Sequence, residues 1–514
     1  GWGVPSQRTI WMLATVTLLQ TFGARWPWLL VLLVGAVIVT AIDPWALMQA
    51  GFWLSFVAVG LLMASSTRDA AAIVAPEGRW WRRAGRAVWH AAREDLRTQV
   101  IATIGLAPLT LVFFQQLSLV GFAANLIAIP LITLVITPLA LLGIGLVPLW
   151  TLGAAAVQVL NAALGWLAHW PSAVWIAPVA PLWAQLAGLL GALLMVLPLP
   201  WRARLFALPL VLPLILPPRV LPAPGTFDLI ALDIGQGTSV LVRTHGHTLV
   251  FDAGPQYSRD SDAGERVLLP LLRARGETKL DRLVLSHRDL DHVGGAAAVI
   301  KGLPVDDVLS SLELEHPILA LAAHATRCHA GQSWVWDGVH FDILRPLADD
   351  YARTLKSNAM SCVLRVSGEA QGAPASPRSV LLTGDIEKEQ EAALIASMRD
   401  ALPSTVLIVP HHGSRTSSTA AFLDVVKPQV AVFQAGYRNR FGHPAPDVMA
   451  RYLARGIETH VSPACGAWLW EAREAPAGVC YRALARRYWH DDGHDAGLSS
   501  SLAGASAGPS MIKR

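Results

Sequence analysis

A chain of 514 residues that is 53% hydrophobic and only 15% charged is too apolar for an ordinary soluble enzyme. Its mean hydropathy of +0.43 excludes a disordered polymer and calls for burial in a bilayer as well as in a core. The net charge of +4 is unevenly placed: residues 1–222 carry 12 Lys+Arg against 5 Asp+Glu, residues 227–490 carry 27 against 29, so the latter lack the overall cationic footprint of a DNA-binding surface.

Eight apolar runs precede residue 222: Trp26–Ile42, Leu47–Ala64, Val100–Phe114, Leu119–Ile136, Leu139–Leu149, Ala154–Leu167, Leu182–Leu197 and Leu205–Leu216. Several fall short of the ~20 residues that cross a bilayer perpendicularly, which predicts re-entrant or interfacial helices among them. Residues 1–216 thus read as a multi-pass α-helical membrane domain in contact with the lipid bilayer. Seven arginines (Arg68, Arg79, Arg82, Arg83, Arg86, Arg93, Arg97) share one connecting segment, which the positive-inside rule makes cytoplasmic. Trp80, Trp81 and Trp89 within it predict an amphipathic helix at the interface. Asn125 and Pro130 put a polar side chain and a helix break at membrane depth, either to line a pore or to pack against another helix. The Trp201-Arg202-Ala203-Arg204 turn is cytoplasmic by the same rule. A crossing by Leu205–Leu216 would then place everything after residue 227 outside the cytoplasm, although Pro209, Pro213, Pro217 and Pro218 oppose a helix there. Residues 217–226 are a stiff Pro-rich linker.

The densest chemistry lies in Leu285-Ser286-His287-Arg288-Asp289-Leu290-Asp291-His292-Val293-Gly294-Gly295. His287, Asp289, Asp291 and His292 follow an apolar strand, an arrangement suited to two divalent metals. Two such ions a few ångströms apart polarise a phosphoryl or carbonyl group and generate hydroxide at neutral pH. Further strand ends follow in order. Leu381-Leu382-Thr383-Gly384-Asp385 delivers a carboxylate placed to bridge, Val406 to Ser414 delivers His411, His412 and Ser414, and Asn439-Arg440-Phe441-Gly442-His443-Pro444 delivers a third imidazole. An isolated histidine such as His316, His324, His329 or His460 is ordinarily structural. Arg288, Arg415, Arg438 and Arg440 flank the ligand motifs, either to hold a phosphate backbone or as ordinary surface charge.

This order resembles the metallo-β-lactamase fold superfamily, an α/β (αββα) sandwich. With Phe227 to Gly237, Phe251-Asp252-Ala253-Gly254-Pro255 and Leu269 to Arg273, it resembles more narrowly the C-terminal part of the ComEC competence-protein family, over residues 227–490. Gly51-Phe52-Trp53-Leu54-Ser55-Phe56, Gly121 to Pro130 and Thr137-Pro138 resemble motifs of that family's membrane domain. The resemblance implies a bacterial inner-membrane DNA-uptake channel for natural transformation, whose outward-facing nuclease degrades the strand that is not taken in. It also implies a DNA receptor outside, an ATP-driven helper inside and a homo-oligomeric channel. His287 and Asp289 would hold one metal and Asp291 and His292 the other, with Asp385 bridging and His443 completing the second site. His411 and His412 would face the scissile phosphate, one as proton donor and one as a further ligand, and Ser414 and Asn358 would bond its oxygens. Asn358, in Lys356 to Ser361, stands where the wider fold has a histidine, and Asp289 replaces another. The oxygen-rich site favours Mn²⁺ or Mg²⁺ over Zn²⁺. Thr238 stands where the family carries an acid. Other readings are a membrane-bound metallohydrolase acting on a different phosphodiester or a lipid, and a channel whose metal domain only docks DNA.

Cys328, Cys362, Cys465 and Cys480 form no zinc pattern. Cys465 and Cys480 either pair across a hairpin or remain free. Residues 371–378 read as a loop between strands and 491–514 as a disordered tail. The chain begins without Met and lacks a signal peptide and the family's N-terminal β-barrel region, so a fragment is expected.

Overall fold

The structure, a computed structural model, describes residues 4–22, 26–65, 80–170, 172–197, 199–368, 378–471 and 478–487. Arg68 and Arg79 of the basic segment expected to be cytoplasmic, the loop at 371–377 and the tail at 491–514 lie outside them. The chain divides into two compact units, residues 1–219 with 273–276 and residues 220–272 with 277–514.

The first unit is helical, as apolar segments must be when the backbone has only itself to bond. Among the described residues three helices are long and apolar enough to cross a membrane: Ala92–Phe114, Gly121–Leu142 and Pro148–Ala168. Trp28–Ile42, Ala50–Ala64 and Leu182–Val196 are apolar but shorter. The Gly121–Leu142 run leaves nearly all of its residues outside the protein core, with only 6% of its most apolar stretch buried inside the protein, as a lipid-facing helix does.

Four expectations change. The basic segment is no separate interfacial helix; it continues into the apolar span as one 35-residue helix, Trp80–Phe114. Leu119–Ile136 and Leu139–Leu149 are not separate runs either: helix Gly121–Leu131 passes through a widened turn, Ile132–Ile136, into Thr137–Leu142. That turn lies between Pro130 and Pro138 and absorbs the hydrogen bonds that prolines remove, so the expected break at Pro130 is a bulge. Finally, Leu205–Leu216 holds only the nine-residue helix Ala207–Ile215. At ~1.5 Å per residue it rises about 14 Å, half of a ~30 Å hydrocarbon layer, and does not cross alone. It packs instead on Leu182–Val196, where Gly188 and Gly191 leave room for Leu214 and Val211. A short antiparallel pair, β1 (Gln116–Ser118) and β2 (Val174–Ile176), joins distant loops of this unit.

The second unit is the expected αββα sandwich. Its strands are β3 (Asp228–Ala231), β4 (Val240–Arg243), β5 (Thr248–Phe251), the hairpin β6 (Gln256–Ser258) and β7 (Ser261–Asp262), β8 (Arg282–Leu285), β9 (Val308–Ser310), β10 (Ala325–Arg327), β11 (Ser333–Trp336), β12 (Val339–Arg345), β13 (Val363–Ser367), β14 (Ser379–Leu382), β15 (Val406–Ile408), β16 (Val430–Phe433), β17 (Glu458–Val461), β18 (Trp468–Trp470) and β19 (Val479–Cys480). One sheet runs β10-β9-β8-β5-β4-β3-β18-β19 and the other β11-β12-β13-β14-β15-β16-β17. Alternate residues explain the layers. Leu249, Phe251, Val284, Val380, Leu382, Val406 and Ile408 meet between the sheets. Val250, Leu283 and Leu285 face outward onto the helices Leu269–Ala274 and Ala296–Gly302. Leu381, Leu407 and Ala431 face outward onto Lys388–Met398, Ala420–Val426 and Pro446–Leu453. With both faces covered, these strands are continuously apolar.

All four cysteines lie in this unit and all are paired, Cys465 with Cys480 and Cys328 with Cys362. The second bridge spans 34 residues and ties the end of β10 in one sheet to the start of β13 in the other. Replacing Cys328 and Cys362 together by serine should therefore destabilise the unit by about 3.8 kcal/mol through loop-closure entropy. Limited proteolysis of the detergent-solubilised chain across a urea series checks this; an unchanged midpoint would refute it.

Candidate metal centre

Strand ends from both sheets converge on one edge of the sandwich. After β8, the Ser286 amide donates to Asp252 Oδ1 at 2.6 Å and its hydroxyl to Oδ2 at 2.7 Å, fixing the chain before the ligand run. The short helix Leu290–Val293 then places Asp291 and His292 side by side. After β14, Gly384 turns with φ +54°, and the Asp385 amide donates to Ser361 Oγ at 3.1 Å. After β15, His411, His412 and Gly413 all have positive φ, an uncommon backbone that aims two adjacent imidazoles in different directions. After β16, the Asn439 side chain holds the His443 amide at 3.0 Å.

Asp291, His292, Asp385 and His412 each offer a ligand atom within 4.8 Å of the others. His292 Nε2 lies 3.1 Å from Asp385 Oδ1, and His412 Nε2 lies 3.3 Å from Asp291 and 3.5 Å from Asp385 Oδ2. A second group shares the same carboxylate: His287 Nε2 is 3.6 Å from Asp289 and 4.0 Å from Asp385. The sequence left open which of His411 and His412 is a ligand; the buried His412 joins Asp291 and His292. His411 is less buried, 3.7 Å from Asp385, with Nδ1 3.1 Å from Thr416 Oγ1 and 3.5 Å from Glu387. His443 stands at the edge, its ring 6.3 Å from that of His412 and 5.7 Å from that of His411.

Nε2 of His287, His292 and His412, Oδ1 of Asp385 and Nδ1 of His443 are buried and have no hydrogen-bond partner beyond the close contacts within the cluster itself. Desolvated donors left unsatisfied are costly unless a cation engages them, so this set fits a divalent metal centre. Charge agrees. Burial pushes the Asp385 carboxyl up, but the imidazoles of His292, His412 and His287 outweigh it and hold it well below the usual range. Burial, with the neighbouring His412 and His411, pushes His443 down to about 4, keeping a neutral ring available. Its bond to His287 lowers Asp289 to about 2.

An outer layer, to which the sequence reading assigned no role, orients these ligands. His292 Nδ1 lies 2.7 Å from the fully buried Asp252, and His412 Nδ1 donates to the Gln434 carbonyl at 2.8 Å. The visible signal for Asp252 was a strand, Thr248–Phe251, ending on a carboxylate. Such partners fix the imidazole tautomer, so Asp252→Asn should weaken metal binding about 10- to 100-fold. Titration of the metal-stripped protein with Mn²⁺ checks this; unchanged affinity would demote Asp252 to packing. Asn358 lies outside the ligand cluster and donates to Glu387 at 3.5 Å, while Ser414 Oγ contacts Thr416 at 3.2 Å, both beside His411. Thr238 contributes main chain, its amide donating to the Asp291 carbonyl at 3.1 Å.

Residues 1–202 match the family model for competence protein, and residues 232–355 that of the metallo-β-lactamase superfamily. The chain is 34% identical over 467 residues to competence protein ComA of Neisseria gonorrhoeae, covering 89% of this chain and 60% of that protein. It is 27% identical over 501 residues to recombination protein 2 of Haemophilus influenzae, covering 88% and 58%. It therefore spans less than two thirds of either relative. Among solved structures, the metallo-β-lactamase fold protein YhfI of Bacillus subtilis is 11% identical with a TM-score of 0.33, covering 48% of this chain and 100% of that one. Both resemblances read from the motifs hold.

Proposed function

We propose, from a chain that joins a competence-protein domain to a metallo-β-lactamase superfamily domain, that this is a multi-pass inner-membrane DNA-uptake translocator. Its hydrolase unit cleaves phosphodiester bonds of the strand that is not transported. The observation that carries this reading is the complete cluster of buried imidazole and carboxylate atoms around Asp385, with no hydrogen-bond partner beyond the cluster itself. Asp291, His292 and His412 would hold one divalent ion, His287 and Asp289 the other, with Asp385 shared and His443 closing the open side. The oxygen-rich donor set favours Mn²⁺ or Mg²⁺. When bound, such ions would neutralise charge on the phosphoryl group and acidify water enough to act as nucleophile near neutral pH. The protein's own residues do the rest. Thr416 and Glu387 hold the His411 ring at the mouth of the centre, placed to give a proton to the leaving oxygen. Ser414 and Asn358 offer a hydroxyl and an amide to the non-bridging oxygens. An extracytoplasmic hydrolase unit is supported by its four cysteines being paired, as befits an oxidising compartment. A DNA receptor outside and an ATP-driven helper inside complete the proposed pathway.

The test is cleavage of labelled single- and double-stranded DNA by the purified chain with Mn²⁺, Mg²⁺, Zn²⁺ or EDTA. Metal-dependent cleavage supports the reading. Hydrolysis of a small phosphodiester without DNA cleavage would favour another substrate, and no hydrolysis by metal-loaded protein would leave a channel with a docking domain.

A further inference from the structure

We infer that the loop Gly436–His443 is a grip for an unpaired nucleic-acid strand at the rim of the metal centre, an inference that rests on the nuclease reading of that centre. Within Tyr437-Arg438-Asn439-Arg440-Phe441, aromatic and cationic residues surround one asparagine. The Asn439 side chain is spent inward: Nδ2 donates to the Gly436 carbonyl at 2.9 Å and to the His443 carbonyl, and Oδ1 accepts from the amides of Phe441 and His443. The loop is therefore braced from within, and Tyr437, Arg438, Arg440 and Phe441 are exposed on it. Tyr437 is 56% and Phe441 54% exposed, although large aromatic rings are normally withdrawn from water.

Its position links it to the chemistry. The Gly436 amide donates to Gln236 Oε1 at 3.1 Å, seating the loop on the turn that abuts Asp291. At the other end, Phe441 stacks on His443 with ring centres 5.7 Å apart. Tyr257, also exposed, donates its hydroxyl to the Ile234 carbonyl beside the same turn at 2.8 Å, with Arg266 5.6 Å from its ring.

The arginines flanking the ligand motifs divide into two kinds. Arg288 is paired with Glu313 at 2.6 Å and Arg415 with Asp447 at 3.3 Å. Among the described residues Arg438 and Arg440 have no acidic partner and lie 5.1 Å and 4.8 Å from the rings of Tyr437 and Phe441. The exposed parts of the rings offer surface for bases, and the guanidiniums, which lie over the rings with no carboxylate to neutralise them, match phosphates. Base faces are free only in an unpaired strand, so the loop selects single strands without reading sequence. A nearly neutral domain needs such a local grip, because it lacks a general cationic surface.

The test uses the full chain in detergent with EDTA, so that binding is separated from cleavage. The probes are an oligothymidylate of about 20 nucleotides, longer than the ~4–16 nucleotides a stacking groove engages, and an abasic strand of equal length. Tyr437→Ala with Phe441→Ala should weaken oligothymidylate binding about 5- to 100-fold and leave the abasic strand unaffected. Arg438→Ala with Arg440→Ala should weaken both strands and make binding less salt-dependent. The variants Tyr437→Phe and Phe441→Tyr should retain binding. Photo-crosslinking with 4-thiothymidine should label residues 436–443. Crosslinks confined to other segments, or an alanine pair that binds both probes as the parent does, would overturn the grip. Cleavage with Mn²⁺ but without these crosslinks sinks the grip alone; crosslinks without cleavage sink the nuclease reading and leave the grip standing.

Discussion

Replacing Asp385 by asparagine is expected to abolish metal uptake and phosphodiester cleavage together, the largest loss from any single side chain. Its Oδ1 faces His292, and its Oδ2 lies 3.5, 3.7 and 4.0 Å from His412, His411 and His287. Among the described residues no other carboxylate reaches both candidate subsites. The amide side chain preserves shape, and the backbone bond from residue 385 to Ser361 Oγ remains, so folding should survive where an alanine would open a cavity. What is lost is the charge that four imidazoles face and one oxygen able to bind a cation. Elemental analysis of the purified variant should find it metal-poor, with cleavage at background. His411→Ala provides the contrast, because that ring lies at the mouth, and should lower the rate with metal content intact. An asparagine variant that keeps both its metal and its activity would remove Asp385 from the centre.

The ligand run was legible because its residues are neighbours in sequence: His287 to His292 need only one strand end and one short helix to converge. Asp385 and the histidines at 411, 412 and 443 were legible for a similar reason, each following an apolar strand. What could not be read was orientation. His411 and His412 are adjacent and chemically identical, and only the run of positive φ at residues 411–413 decides which ring is buried. Asp252 stood in a family motif but without a role, because its partner, His292, is 40 residues away and one carboxylate after a strand looks like any other. In the fold, the apolar run that ends on Asp385 was visible as a buried strand, but not which layer Leu381 and Leu382 each face, because both faces are covered and both residues are apolar. The pairing of β18 with β3, Trp468 beside Ala231, was not, since no local signal encodes contacts across so much chain. In the membrane part, proline punctuation misled: Pro130 read as a break, whereas one widened turn keeps the helix continuous.

Gly237→Ala should be nearly as damaging as loss of a ligand, although Gly237 touches no metal-binding atom. Its φ is +137°, and an added Cβ would stand 2.2 Å from the Asp291 carbonyl oxygen and 3.1 Å from Pro255. The nearest obstacle is backbone, so no rotamer change relieves it. The Asp291 main chain must move, carrying away the carboxylate that sits 3.3 Å from His412. The adjoining bond from the Thr238 amide to the Asp291 carbonyl would be strained as well. Displacement of a reacting group by about 1 Å can cost ~10²-fold in rate, and a loss of that order is expected here together with weaker Mn²⁺ binding. Gly331→Ala separates close approach from backbone strain. Gly331 also has a positive φ, +91°, but an added Cβ would meet nothing within 4 Å. That variant should lose about 1–2 kcal/mol of stability and no metal affinity. If Mn²⁺ titration and cleavage rates put the two variants on a par, the Gly235–Gly237 turn is a simple chain reversal, and the position of Asp291 does not depend on it.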